Sequence, residues 1–489
     1  MEYSPLGLPV SLKYDLPPSV SDSCRSYSVN VNPNGITTLT GPALTGTPFV
    51  ANSTANFGSF TQQVIGFDIP CGNSDSVFLD PSSTTLSFTL TYLCTVAAVG
   101  GTGATLNLIG SGASFFDQLT LYSNNVPLET INNYGLLQNF LLNNTVSKSE
   151  RSGGISVCMG TDDNSNNGVD LPFTVASATV PIRVNFSIPL LSFIGINCPD
   201  KLFPIGSVNN LQLQLQTASL YPLVSYCTVV PTTMPTIGGF TLSEFSLNMK
   251  YIDVGDIAAQ MLRQTLQNGK WFIKASTYTN SSITIPTTSS GSQQLLMQIR
   301  NTSVKSIFHT FGTAVSSSCP NGLYDSINPS LSSRQLQIGG SFFPNKPIND
   351  VQRSSEGYVN LLQSLGGNIG TKASGSSVSR SNYNSCLPSV PANSELFCVF
   401  PNNGVRPVPS GGDITELIIA KFPNMFYCGY DLEKSNGVLF QGYNTRSTPP
   451  FLNLILSQAT GTTITCQAWG LSDVVLVFDV ASKSVQAMI

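Results

Sequence analysis

A single histidine, His309, stands in 489 residues, and that scarcity removes much of enzymology at once. No HExxH zinc site can be built, and any Ser or Cys triad would have to use this one base. His309 lies in the alternating run Val304–Phe311, where a histidine on a strand face is the ordinary reading. GxSxG, GxxxxGK[ST] and GxGxxG are all missing from the sequence. Accordingly the expectation is no enzyme: no catalytic residue, no cofactor-binding residue, no metal ligand and no cofactor. Thr161–Asp170 faintly resembles a calcium loop. However, Asn167 stands where the sharp-turn glycine belongs, and Phe173 stands where the bidentate Glu belongs, so a solvated loop is expected.

Charge is scarce too. Asp, Glu, Lys and Arg make up 10% of the chain, against roughly a quarter in ordinary soluble proteins, and net charge is −4. The first thirty residues set Lys13 and Arg25 against Glu2, Asp15 and Asp22. Without a basic arm, no direct contact with nucleic acid is expected. Ser, Thr, Asn and Gln take the place of charge, which suits surfaces buried against neighbouring subunits. No basic-then-apolar leader opens the sequence, so synthesis inside a cell, without secretion, is expected. The eleven cysteines are scattered singly from Cys24 to Cys466 with no CxxC pair. That pattern predicts free thiols in a reducing compartment. Asn52, Asn143, Asn185, Asn280 and Asn301 head N-x-[ST] triplets that chance explains in so Asn- and Ser-rich a chain. The stretch from Pro81 to Phe116 lacks charge, but Pro81 and Gly100-Gly101-Thr102-Gly103 interrupt it. Two strands joined by a hairpin turn are expected there, and no membrane helix.

What is present is a repeat. Gln118-Leu119-Thr120-Leu121 leads through Asn125-Val126-Pro127-Leu128 to Tyr134-Gly135-Leu136-Leu137-Gln138. Gln335-Leu336-Gln337-Ile338 leads likewise through Asn345-Lys346-Pro347-Ile348 to Tyr358-Val359-Asn360-Leu361-Leu362-Gln363. Each passage reads as a strand, a Pro-containing turn and an amphipathic helix, so one domain is present twice. Alternation as strict as Leu211-Gln212-Leu213-Gln214-Leu215-Gln216 marks half-buried strands. Similar runs at 60–69, 84–92, 115–122, 179–188 and 240–251 fill the first half. Runs at 271–275, 295–299, 304–311, 334–338, 417–422, 451–456, 463–469 and 474–480 fill the second. Asp256 can cap a helix that ends at Gly269, near the midpoint. The expected division is an extended arm at 1–56, a first domain at 57–252, a linker helix at 253–269 and a second domain at 270–489. The Ser-, Gly- and Asn-rich stretch 366–390 reads as a long exposed loop. Short strands with long loops imply antiparallel sandwiches. The strand count fits two tandem eight-stranded jelly rolls, an all-β fold with a short helix in each.

Several segments resemble the double jelly-roll major capsid proteins of the adenovirus-type lineage, chiefly those of virophages, polinton-like viruses and larger DNA viruses. Phe78-Leu79-Asp80-Pro81 with Thr84–Phe88, and Asn124–Tyr134, carry the likeness in the first half. In the second half it is carried by Arg300–Ile307, Ile338-Gly339, Phe343–Ile348, Glu356-Gly357-Tyr358, Leu365-Gly366, Gly429–Glu433 and Gly442–Thr445. The resemblance implies a structural virion subunit, three chains per pseudo-hexameric capsomer, and an icosahedral shell. Its partners would be neighbouring capsomers with penton and minor capsid proteins. The competing expectation is an extracellular β-sandwich adhesin or carbohydrate-binding protein.

Overall fold

A computed structural model describes residues 24–41, 62–72, 74–95, 104–160, 168–171, 181–198, 201–219, 222–227, 236–264, 266, 268–313, 324, 326–350, 355–366, 376–378, 383, 425–433, 441–461 and 463–488. The first half supplies β1 (Arg25–Val31), β2 (Leu39–Gly41), β3 (Val64–Ile69), β4 (Val77–Thr95), β5 (Ala104–Ile109), β6 (Phe116–Ser123) and β7 (Val126–Asn132). Helices α1 (Tyr134–Thr145), α2 (Lys148–Ser152) and α3 (Gly154–Met159) follow, then β8 (Gly168–Leu171), β9 (Ile182–Pro189), β10 (Leu211–Thr217), β11 (Leu223–Cys227) and β12 (Thr236–Asp253). Helix α4 (Gly255–Gln264) leads into β13 (Lys270–Ile285), β14 (Gly291–Leu296), β15 (Val304–Thr313), β16 (Leu331–Ile338) and β17 (Ser341–Asn349). Helix α5 (Glu356–Ser364), β18 (Cys428–Asp431), β19 (Phe451–Leu456), β20 (Ile464–Asp479) and β21 (Ser484–Met488) complete the described chain.

In the first half, one sheet runs β1-β12-β4-β9 and another β3-β10-β6-β7. In the second half, the orders are β13-β20-β15-β18 and β14-β19-β16-β17. Counting only the eight strands of these two sheets in each half, the order is the same, first-eighth-third-sixth and second-seventh-fourth-fifth. All pairings are antiparallel. This is the jelly-roll winding, twice. A smaller sheet, β11-β5-β8, is added to the first half.

Alternation builds these sheets. Leu211, Leu213 and Leu215 of β10 are buried while the intervening Gln residues stay half-exposed. Burying each Leu contributes about 1.5–3 kcal/mol. The hairpin β6-β7 turns on Asn124-Asn125, both left-handed at φ 49 and 64. The equivalent hairpin β16-β17 turns on Gly339-Gly340, with Gly339 at φ 60. Positive φ matches the twist of paired strands, and Asn and Gly adopt it most easily.

Four expectations need correction. Residues 25–31, expected inside the extended arm, form β1, the edge strand of the first jelly roll, paired with β12 from Arg25↔Asp253 to Val31↔Leu247. Its side chains are mostly exposed, so it carries little of the apolar signal of a core strand. The Pro81–Phe116 stretch is not a hairpin: β4 pairs with β12 and β9, whereas β5 pairs with β11 and β8. Nor does Pro81 end a strand. Register with β12 slips there, from Asn248↔Thr85 to Lys250↔Asp80, and the bulge accommodates the missing N–H. Past Gly366, the described parts of 366–390 are not exposed: Ser377 is 0% and Tyr383 5% accessible, and Ser376 and Val378 are half-buried. Finally, the runs at 463–469 and 474–480 are one strand, β20. The expected run 417–422, the calcium-like residues 161–167 and most of the arm lie outside the described residues.

Candidate assembly interface

Jelly rolls present edges and faces to neighbours, and this chain already contains one such contact, between its own two halves. Helix α1 and β7 of the first jelly roll pack on β13, β15 and β20 of the second. Phe140 of α1 meets Phe308 at 5.3 Å, Tyr427 at 5.1 Å edge-on and Trp469 at 6.2 Å, ring to ring. Farther along the seam, Phe203 meets Phe478 at 4.9 Å and Phe78 meets Trp271 at 5.8 Å. Buried residues of both halves therefore form one hydrophobic cluster.

Polar groups complete the seam. Asn133 precedes α1 in the left-handed region and makes no capping bond. Its amide instead donates across the seam to Asn280 Oδ1 and Gln467 Oε1, both at 3.0 Å. Asn143 donates to Tyr427 Oη at 2.7 Å and accepts from buried Arg151. Ser377 donates its N–H to Asn143 O at 2.9 Å and its hydroxyl to Val146 O at 3.0 Å. Those carbonyls close the last turn of α1 and need donors. A Ser-rich passage from the second half thus straps the end of a helix in the first.

A buried ionisable group that bridges the seam is Glu129, on β7. Its carboxylate accepts from Ser192 Oγ at 2.8 Å, Phe193 N at 2.9 Å, Asn197 Nδ2 at 3.1 Å and Thr277 Oγ1 at 3.0 Å. Thr277 belongs to β13, so the carboxylate joins the halves. Burial pushes its pKa up to about 7, against the pull of these donors. Burial also raises the phenols of Tyr134 and Tyr278, and the nearby Glu129 charge adds to the effect.

Inside the second jelly roll, Arg334 Nε donates to Asp350 Oδ2 at 2.7 Å, with both side chains buried. A Cβ on Gly357 would fall 2.6 Å from Arg334 Nη2, 2.8 Å from Tyr383 Oη and 2.9 Å from Asp350 Oδ1. That crowding accounts for glycine in Glu356-Gly357-Tyr358. A Cβ on Gly442 would strike the Val304 backbone at 2.5 Å, which accounts for the glycine of Gly442-Tyr443. The Ser303 and Lys305 positions of the Arg300–Ile307 segment reach Asp473, and Lys305 also pairs with Glu433 at 2.7 Å.

His309 is completely buried in β15 and stacks on Tyr430 at 5.7 Å; burial, and then the Arg334 charge, hold its pKa well below the ordinary value. It reads as a packed side chain. Among the described residues no group of three His, Cys, Asp or Glu is placed to hold a metal. Asn143 and Asn301 of the N-x-[ST] triplets are buried and hydrogen-bonded. Sequence reasoning passed over Glu129. In Val126–Asn132 it occupies the central strand position, and its donors come from segments far away in sequence.

No protein-family model matches the chain, and neither does any curated protein sequence. Solved structures do match. VP54 of PBCV-1, fitted into a reconstruction of the virophage Sputnik, matches at TM-score 0.52 and 13% identity, over 95% of this chain and 97% of that one. The Faustovirus major capsid protein matches at TM-score 0.54 and 10% identity, over 96% of this chain and 92% of that one. The quasi-atomic capsid of PBCV-1 matches at TM-score 0.52 and 12% identity, over 95% and 97%. The chain has the double jelly-roll fold of these viral capsid proteins along almost its whole length.

Proposed function

We propose that this chain is a major capsid protein, the subunit of a pseudo-hexameric trimeric capsomer in an icosahedral DNA-virus shell. It would work through interfaces and not through a catalytic pocket. One observation carries the reading. Helices α1 and α5 occupy equivalent places, each following the fifth strand of its jelly roll. Nine of the twelve residues of α1 are buried, including the polar Gln138, Asn139, Asn143 and Asn144, because the second jelly roll covers it. Only four of the nine residues of α5 are buried. The adjoining β17 is largely exposed, as is β1 on the first jelly roll.

The seam contact is head-to-tail: the helix side of one jelly roll meets the β13-β20-β15 side of the other. Such a contact repeats until it closes. Placing α5 and β17 of one chain on β1, β12 and β4 of the next continues it. Six jelly rolls in a ring use three chains. The capsid assignment of the fold's solved relatives supports this count and the virion as the site of action. Neighbouring capsomers, penton proteins and minor capsid proteins would then be the partners, and the chain would be made inside the host cell and not secreted.

Sedimentation tests the reading. A species of about 156 kDa, three times the 52.0 kDa chain, is expected. Because the exposed faces carry few charges, it should persist at about 1 M salt, where screening length is near 3 Å. A monomer at low micromolar concentration in every salt would overturn the proposal. Electron microscopy of the same sample should show hexagonal particles.

A further inference from the structure

In the second jelly roll, β15 lies between β18 and β20. Lys305 is on β15, Asp473 on β20, and Glu433 just beyond the end of β18. The register of β15 with β20 slips between Val304 and Ser306, which leaves Lys305 without a partner on β20. A bulge of this kind re-aims the side chain it carries. Lys305 Nζ comes within 2.7 Å of Glu433 Oε1 and 4.0 Å of Asp473 Oδ1. Backbone bonds hold both neighbours in place: Leu432 N donates to Lys305 O at 2.8 Å, and Asp473 N donates to Ser303 O at 3.0 Å. The Asp473 side chain is completely buried, and those of Glu433 and Lys305 are 15% and 23% accessible.

One carboxylate would be enough for an ion pair. With two, an amine can condense with one while the other moves the protons. Glu433 stands at hydrogen-bond distance from Nζ, which is the geometric condition for a proton relay. Ser303 Oγ donates to Asp473 Oδ2 at 3.2 Å, where negative charge gathers when the carboxyl carbon is attacked. Gly442 N in turn donates to that hydroxyl oxygen at 3.1 Å and fixes it. Holding amine and carboxyl in one fold replaces an encounter between separate molecules. We propose that Lys305 and Asp473 join in an amide bond, with Glu433 as the proton relay. Once a first proton has passed from the ammonium to Glu433, the Nζ lone pair forms a bond to Asp473 Cγ. One C–O bond of that carboxylate then breaks. The two protons that the ammonium gives up reach the departing oxygen through Glu433, and it leaves as water. Glu433 ends as it began, nothing is oxidised or reduced, and no co-reactant is needed. The bond forms once per chain, ties β15 to β20 and closes a covalent ring around everything between residues 305 and 473.

Mass spectrometry of the denatured full-length chain tests this. The wild type should weigh one water less than its sequence, and proteolysis should release a branched peptide joining Lys305 to Asp473. K305R keeps the cation and should show its full sequence mass. E433Q should form the bond at least about tenfold more slowly than the wild type, as expected when a proton relay is removed. A wild-type chain at full sequence mass overturns the proposal, whether or not either variant folds. So does a water loss that survives in K305R, or a branch at a different carboxylate. Undiminished bond formation in E433Q would overturn the relay. The reading is made on single chains, so it stands or falls separately from the 156 kDa species.

Discussion

Replacing Glu129 by Gln keeps the shape of the seam and removes its buried charge, and the outcome depends on pH in a calculable way. Glu129 is completely enclosed, with a folded pKa near 7 against an ordinary 4.5. A raised folded pKa means its contribution to stability is full below about 4.5 and is lost as pH rises through about 7. At about 1.4 kcal/mol per pH unit, the loss comes to roughly 3 kcal/mol. The amide that replaces the carboxylate cannot titrate. Its Oε1 can still accept from Phe193 N and Ser192 Oγ, and the Thr277 hydroxyl can rotate to accept from Nε2. The Asn197 amide must flip, or one donor goes unmet at about 1–3 kcal/mol. E129Q is therefore expected to be less stable than wild type at pH 5 and to match or exceed it at pH 8. Buried His309 acts oppositely, losing stability as pH falls below 6.5, while Asp117, Asp350 and Asp431, raised by burial, act with Glu129. Because wild type and variant share these groups, the difference between their urea unfolding free energies isolates Glu129. It should be followed at fixed protein concentration. A difference that stays flat within about 0.5 kcal/mol from pH 5 to 8 would refute the argument, since one unit of buried charge would then cost nothing.

Leu137 and Leu361 are fully buried in α1 and α5, and truncating either to Ala should cost about 2–5 kcal/mol; unchanged melting midpoints would mark both helices as peripheral. Arg334→Met leaves Asp350 buried without its partner and should destabilise by about 3–5 kcal/mol, whereas R334M/D350L should recover most of that loss in urea melts. Under native conditions a thiol reagent should modify the exposed Cys24 and Cys158 first, leaving buried Cys198, Cys428 and Cys466 until denaturant is added; burial pushes Cys428 up to about 12. Titration of the unreduced, denatured chain should count close to eleven thiols, and a count of one to three would contradict free cysteines.

Much of the architecture was legible where burial is one-sided. Leu211–Thr217 alternates because one face of β10 meets the core, and the Tyr358, Leu361, Leu362, Leu365 spacing reveals α5 for the same reason. Legibility failed where burial depends on distant chain. In β1 only Val29 and Val31 are partly shielded, so its place as a jelly-roll strand comes from β12 more than two hundred residues later. Ser376–Val378 looks like solvent-facing text, yet serine hydroxyls are what the open carbonyls of α1 require. In α1 the buried Asn and Gln disguise a helix covered on most of its surface. The seam was invisible for a similar reason: its polar groups look like surface until their partners from the other half arrive.

One core runs through both jelly rolls, and this bears on how the molecule comes apart. Phe140, Phe203 and Phe78 are each as much a part of the second half as of the first. A domain is usually a unit that could fold alone. Here a chain cut within α4 would leave two pieces, each exposing aromatic rings, and the first would also have an unstrapped helix end and a carboxylate deprived of Thr277. The two copies of the repeat share one hydrophobic cluster, so they are expected to unfold as a single cooperative unit. Calorimetry of the isolated chain should accordingly give one heat-absorption peak whose van't Hoff and calorimetric enthalpies agree, in a protein drawn as two domains.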